Sequence, residues 1–295
     1  MKHFLGYLLI QLVGFFGFSV ALAGIFFYVA PLQTVLLGNL ASNISEGTLR
    51  TQAFVDWSQE QTEPFTLILG NSTTLYSVNP QFIAMDKAPA SFSLASNGQT
   101  LVMSREILKW AIRQSKPIHV LLDVNEEMCW NPGTESAFQH IQSNPRALDR
   151  EFACLSGTFS NTHMALCTLC KGVSLAISHP PETPEHIQGH MPKYKPPTGP
   201  ISCDSSLVAT LPENQEALDD IITLCQSHDI ALTLIHHPRL NGIQSDLSFP
   251  EGTRYIEGMN WEYAGVDTMF HDDHHLRSTI APLYSQWVAE QLQTE

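Results

Sequence analysis

The chain has 295 residues, 43% of them hydrophobic, with 15 Lys+Arg against 29 Asp+Glu, for a formal net charge of −14. That length holds one large domain or two small ones, and the apolar share is ordinary for a globular protein. The acidic excess is spread along the chain without a basic patch, which argues against nucleic acid and anionic membrane surfaces as partners.

In chain order, Phe4 to Ala30 carries no Asp, Glu, Lys or Arg. As a helix rising ~1.5 Å per residue, such a run exceeds the ~30 Å hydrocarbon core of a bilayer. Lys2 precedes it, so the positive-inside rule predicts a cytoplasmic N-terminus and an exported remainder, periplasmic or at the cell surface. Ala21-Leu22-Ala23 imitates a signal-peptide exit, but Ile25-Phe26-Phe27 continues the apolar run, so residues 1–30 are expected to be an uncleaved transmembrane anchor. Residues 31–64 are Ser/Thr/Gln-rich with weak helical character, either a juxtamembrane stalk or an element packed on the edge of the domain.

Strand character begins at Thr66 and runs to Gly70, followed by the turn Asn71-Ser72. Ser91 to Ala95 alternates as a short strand and ends in Ser96-Asn97-Gly98-Gln99. Leu101 to Gln114 has the apolar spacing of a covering helix. His119 to Val124 reads as a buried parallel strand that stops at Asp123-Val124-Asn125. Residues 128–210 break the rhythm with five of the six cysteines and many His and Pro, which reads as an insertion that could roof the carboxyl edge of a sheet. Regular structure resumes with a helix over 212–228, a strand over 230–235 ending at His236-His237-Pro238, a further strand over 252–259, and a closing amphipathic helix over 279–292. Alternating strands and helices predict a three-layer, flavodoxin-like parallel α/β sheet over residues 65–295. Six cysteines in an exported domain predict disulfides, with 15 possible pairings that the sequence does not choose among. Cys167-x-x-Cys170 is an alternative metal or redox pair without a second pair to match it.

Two short stretches carry chemistry. Gly70-Asn71-Ser72 ends a strand at the sheet edge where open α/β folds bind ligands, so Ser72 is a candidate nucleophile. Asp272-x-x-His275 places a carboxylate where it can hold the imidazole Nδ1–H and leave Nε2 as a base. A plain capped turn and a solvated polar loop are the ordinary readings of each stretch alone.

Together, the early Gly-Asn-Ser and the late Asp-x-x-His resemble the SGNH/GDSL hydrolase superfamily. Leu69-Gly70-Asn71-Ser72-Thr73-Thr74-Leu75-Tyr76-Ser77-Val78-Asn79-Pro80 is similar to its membrane-anchored cell-envelope branch. The resemblance implies a Ser72-Asp272-His275 triad and an oxyanion hole from the Ser72 N–H, Gly98 and Asn125, with Asn97 competing as the side-chain donor. The chain departs from the family pattern at Asn71, at Thr73-Thr74, and at Asp123, which stands where the family has glycine. Asn97, His237 and Arg277 are candidates for the substrate pocket. The implied activity is that of an esterase or O-acyltransferase acting on acylated envelope polysaccharides, with a membrane O-acyltransferase as an implied partner and no cofactor or metal. An inactive binding or assembly scaffold, and a metal-dependent hydrolase using the His/Asp run, are the alternatives. Neighbouring residues of that run are expected to point apart and so to fit one ion poorly.

Overall fold

The computed structural model describes residues 46–130 except 84, residues 207–240 and 244–294, and isolated positions before residue 19 and at 188 and 190. The chain divides into two units, Met1–Thr48 with Phe138–Glu182, and Leu49–Ala137 with Thr183–Glu295. Of the first unit, the described residues are helical positions between 6 and 18 and the opening residues of the first helix below. The predicted anchor lies mostly outside the described residues, among which no helix is long and apolar enough to cross a membrane.

The second unit contains α1 (Glu46–Glu60, beginning in the first unit), β1 (Phe65–Leu69), α2 (Ser72–Ser77), β2 (Ala90–Ser93), α3 (Leu101–Gln114), β3 (His119–Asp123) and α4 (Glu126–Trp130). Then come β4 (Leu207–Val208), α5 (Pro212–Ser227), β5 (Ala231–His236), β6 (Gln244–Ser245), β7 (Arg254–Glu257) and α6 (Ala281–Gln293). Among the described residues, five strands form one all-parallel sheet in the order β2-β1-β3-β5-β7, and β4 pairs with β6. Helices cover both faces, so the protein has a three-layer α/β fold. This is why β1 and β3 are buried along their whole length and read as near-continuous apolar runs.

Local signals set the element ends. Thr100 caps α3 by accepting the Met103 N–H, and Pro212 at the first turn of α5 fixes a helical φ where no N–H is needed. On one face of the sheet, Ile68, Leu121, Ile235 and Ile256 pack with Tyr284, Val288 and Leu292 of α6. Toward the β2 edge, Phe54 and Trp57 of α1 meet Phe65 and Phe92, and Phe54 also meets Trp110 of α3. The part of the 31–64 segment that carries Phe54 and Trp57 therefore packs on the edge of the domain. A neutral histidine ladder crosses three strands, from Thr66 Oγ1 to His119 Nδ1 (3.2 Å) and from His119 Nε2 to Thr233 Oγ1 (2.9 Å). Burial, followed by the charge of Arg254, lowers the His119 pKa to about 4.

The disulfide expectation is corrected for two of the six cysteines. Cys129 and Cys225 are buried free thiols. Cys225 lies on the buried stripe of α5, and Cys129 Sγ sits 3.3 Å from Asn125 O and 3.6 Å from Ser245 Oγ. Both behave as small apolar core residues. The other four cysteines, and nearly all of the predicted insertion, lie outside the described residues.

Candidate active site

Strand order reverses between β1 and β3, and the loops after these two strands meet at the carboxyl edge of the sheet. Ser72 opens α2 immediately beyond β1. Gly70 is required there by space, because a Cβ would run into the Thr74 side chain and stand 2.7 Å from Asp123 Cβ. Asn71 then caps α2, its Oδ1 accepting the Thr73 N–H at 2.9 Å and the Thr73 hydroxyl at 2.7 Å.

The turn is anchored to β3 by a buried polar network. Asp123 Oδ2 accepts the Thr74 hydroxyl (2.8 Å) and the Asn125 amide (2.7 Å), and stands 2.9 Å from Thr73 Oγ1, whose one proton it shares with Asn71 Oδ1. The Asn125 amide also reaches Asn71 Oδ1 and Thr73 Oγ1, while Asn125 Oδ1 accepts from the Asn71 side chain and from the backbone of Glu127 and Met128. Asn125 is fully buried with both its N–H bonds committed inside the network. Asn125, expected among the oxyanion donors, thus lies beneath the serine turn with its amide spent on Asn71, Thr73 and Asp123. Gly98 stands in the turn after β2 with φ +65°, a left-handed conformation that glycine adopts without strain, and it is part-exposed beside Asn97.

The last part of the site comes from the loop before α6. An antiparallel bridge between Phe270 and Leu276 closes it, with the His271 N–H donating to His275 O at 2.7 Å. Inside this loop, Asp272 Oδ1 accepts the backbone N–H of His275 (2.7 Å) and of His274 (3.2 Å). The same carboxylate faces His275 Nδ1 at 2.9 and 2.8 Å, and His275 Nε2 stands 2.8 Å from Ser72 Oγ. Residues 203 positions apart are thus joined in a Ser–His–Asp line. Burial by itself would raise the Asp272 pKa, but the hydrogen bond and charge of His275 outweigh it and hold the carboxylate well below its ordinary range. Tyr76, which the sequence did not single out, packs edge-on against the His275 ring with centroids 5.6 Å apart.

Two of the pocket candidates, His237 and Arg277, are held by the scaffold around the site. His237 is buried, with Nε2 3.1 Å from Thr74 Oγ1 and its ring against Tyr284, so it belongs to the support beneath the turn. Burial lowers its pKa to about 4, which keeps it neutral. Arg277 is exposed, and its Nε donates to Phe270 O, strapping the histidine loop. The neighbouring His236 is clamped between Glu126 (2.8 Å) and Glu257 (2.9 Å). Burial opposes its charge, but the two carboxylates prevail and raise its pKa to about 10. Arg239 completes this buried cluster, 2.9 Å from Glu126.

The expectation that neighbours in the His/Asp run point apart fails for His274 and His275, whose ring centroids are 4.0 Å apart. One ligand atom each from Asp272, His274 and His275 lie within 4.8 Å of one another.

No protein-family model matches this sequence, and comparison with curated proteins finds no relative.

Proposed function

We propose that the chain is an SGNH-type serine esterase or O-acyltransferase acting on ester bonds, with acylated envelope glycans as the substrate class and an N-terminal membrane anchor. The observation that carries the reading is the unbroken line from Ser72 Oγ through His275 to Asp272, with both contacts at 2.8 Å. An isolated serine hydroxyl is a poor nucleophile, and a base in hydrogen-bond reach is what activates it. Exposed apolar side chains at Tyr7, Val13, Phe15 and Phe18 are compatible with a lipid-facing helix.

In this reading Ser72 Oγ attacks the ester carbonyl while His275 Nε2 takes its proton. Asp272 keeps the Nδ1–H in place and stabilises the imidazolium without taking that proton. The charge that develops on the carbonyl oxygen is met by the N–H of Ser72 and Gly98 and by the Asn97 side chain. Collapse of the tetrahedral adduct breaks the ester C–O bond, and the leaving alcohol takes the proton from His275. Water or a sugar hydroxyl then attacks the acyl-serine by the reverse sequence, giving hydrolysis or transfer.

The inactive-scaffold reading is favoured by one observation, the withdrawal of Asn125 into the buried network. A fluorophosphonate probe separates the two. The enzyme reading expects labelling of the wild type and its loss in Ser72→Ala. Equal labelling of both, or none of either folded protein, rejects it.

A further inference from the structure

We propose that Asp272, His274 and His275 form an inhibitory divalent-metal site, filled by Zn²⁺ or a cation of similar ligand preference. The inference rests on the triad reading for its consequence, though not for the binding itself. His275 Nδ1 is 2.8 Å from Asp272 Oδ2, and His274 Nδ1 is 3.8 Å from Asp272 Oδ1. Zinc bound to nitrogen and carboxylate at roughly 2.0–2.2 Å in tetrahedral geometry holds its ligand atoms roughly 3.3 Å apart. The Asp272–His275 pair has to open and the Asp272–His274 pair to close by about half an ångström to reach that spacing, and the His274–His275 pair starts within 4.8 Å. Two imidazoles and a carboxylate are a hard-to-borderline set that suits zinc, leaving the fourth position for water.

The surroundings favour a cation. Asp273 Oδ1 lies 2.6 Å from His274 Nδ1, a contact it would yield to the ion, and Glu127 lies 3.4 Å from His274 Nε2. The side chains of Asp272 and Asp273 are about one-third exposed, at 37% and 34%, so the ion has a route in from solvent.

The consequence follows from the two nitrogens of one ring. In the resting triad the proton is on Nδ1, facing Asp272, and Nε2 accepts from Ser72. Metal at Nδ1 takes the place of that proton, which passes through solvent to Nε2, so the ring stays neutral with its one N–H now on Nε2. An Nε2–H can donate to Ser72 Oγ but cannot accept its proton. The ion thus occupies the site while disarming the base, without entering the substrate's space, so inhibition lowers kcat with KM little changed.

The test uses the full-length protein and two readouts. Calorimetric Zn²⁺ titration of the wild type and of Ser72→Ala is compared with His274→Gln and His274→Asn, each checked for folding by circular dichroism. Other cysteines and histidines can bind zinc, so the quantity read is the difference between proteins. The wild type and Ser72→Ala should each bind one ion more than the His274 variants, or bind that ion at least tenfold more tightly. Hydrolysis of a chromogenic acetyl ester should fall with added zinc and return on chelation. Each protein being scaled to its own metal-free rate, the half-inhibitory zinc concentration should rise at least tenfold in both His274 variants. Identical zinc binding by all four proteins overturns the metal site. Extra binding by the wild type without any esterase activity in metal-free protein keeps the site and rejects the hydrolase reading instead.

Discussion

Asp272 and Asp273 are adjacent acids in one loop, and they should respond very differently to mutation to Asn. Asp272 faces His275 Nδ1 with both oxygens, at 2.8 and 2.9 Å, whereas Asp273 Oδ1 is directed to His274 Nδ1 at 2.6 Å. An Asn at 272 keeps an oxygen that can accept the His275 N–H and hold the loop. It loses the negative charge that fixes the imidazole tautomer and stabilises the imidazolium. The comparable change in well-studied triads costs roughly 10⁴ in kcat, about 5.4 kcal/mol of barrier, and a looser triad gives roughly 10². Asp273→Asn removes a part-exposed partner of His274 and should cost less than about tenfold, since such pairs contribute roughly 0–1 kcal/mol. The assay is steady-state hydrolysis of a chromogenic acetyl ester by the full-length protein, with folding followed by circular dichroism. Equal losses, or a larger loss at Asp273, would refute the assignment.

Asn97→Ala should lower kcat by roughly 10²–10³ with little change in the urea midpoint, as expected for a side-chain oxyanion donor; an unchanged kcat would remove Asn97 from that role. Thr74→Val leaves Asp123 short of one buried donor and should lower unfolding stability by about 1–3 kcal/mol in urea titration, an effect absent only if the hydroxyl contacts are unimportant. The His236 pKa is raised to about 10, so its stabilisation is complete below an ordinary ~6.5 and is lost as pH climbs from there toward 10. Stability should therefore decline across that interval, by up to about 5 kcal/mol at about 1.4 kcal/mol per pH unit, and a His236→Gln protein should show a clearly shallower decline. Burial pushes the Cys129 and Cys225 thiols up to about 12, so both should resist alkylation in the native protein and react on unfolding in denaturant without reductant.

Periodicity and punctuation alone determined most of the framework. The helix over Leu101–Gln114 matches its predicted span, and the five sheet strands lie within a residue or two of their expected positions, because each has an apolar period ended by a polar or glycine stop. Gly70-Asn71-Ser72 and Asp272-x-x-His275 were legible for the same local reason: a tight turn and a three-residue offset are properties of short segments. What the sequence could not decide was where long-range partners would point. Thr73, Thr74 and Asp123 each read as an unrelated departure from the resembled pattern, yet the tertiary structure makes them one hydrogen-bonded unit across β1 and β3. That unit draws Asn125 and His237 away from the cleft, where sequence position alone had put them. Parallel strands brought side by side from distant parts of the chain set these contacts, and a buried polar atom takes whichever partner lies within reach, since leaving it unpaired costs about 1–3 kcal/mol. The same constraint governs the cysteines. An even count says that pairing is allowed, but Cys129 and Cys225 were carried by separate helices into buried, packed surroundings as free thiols, and only the fold could determine that.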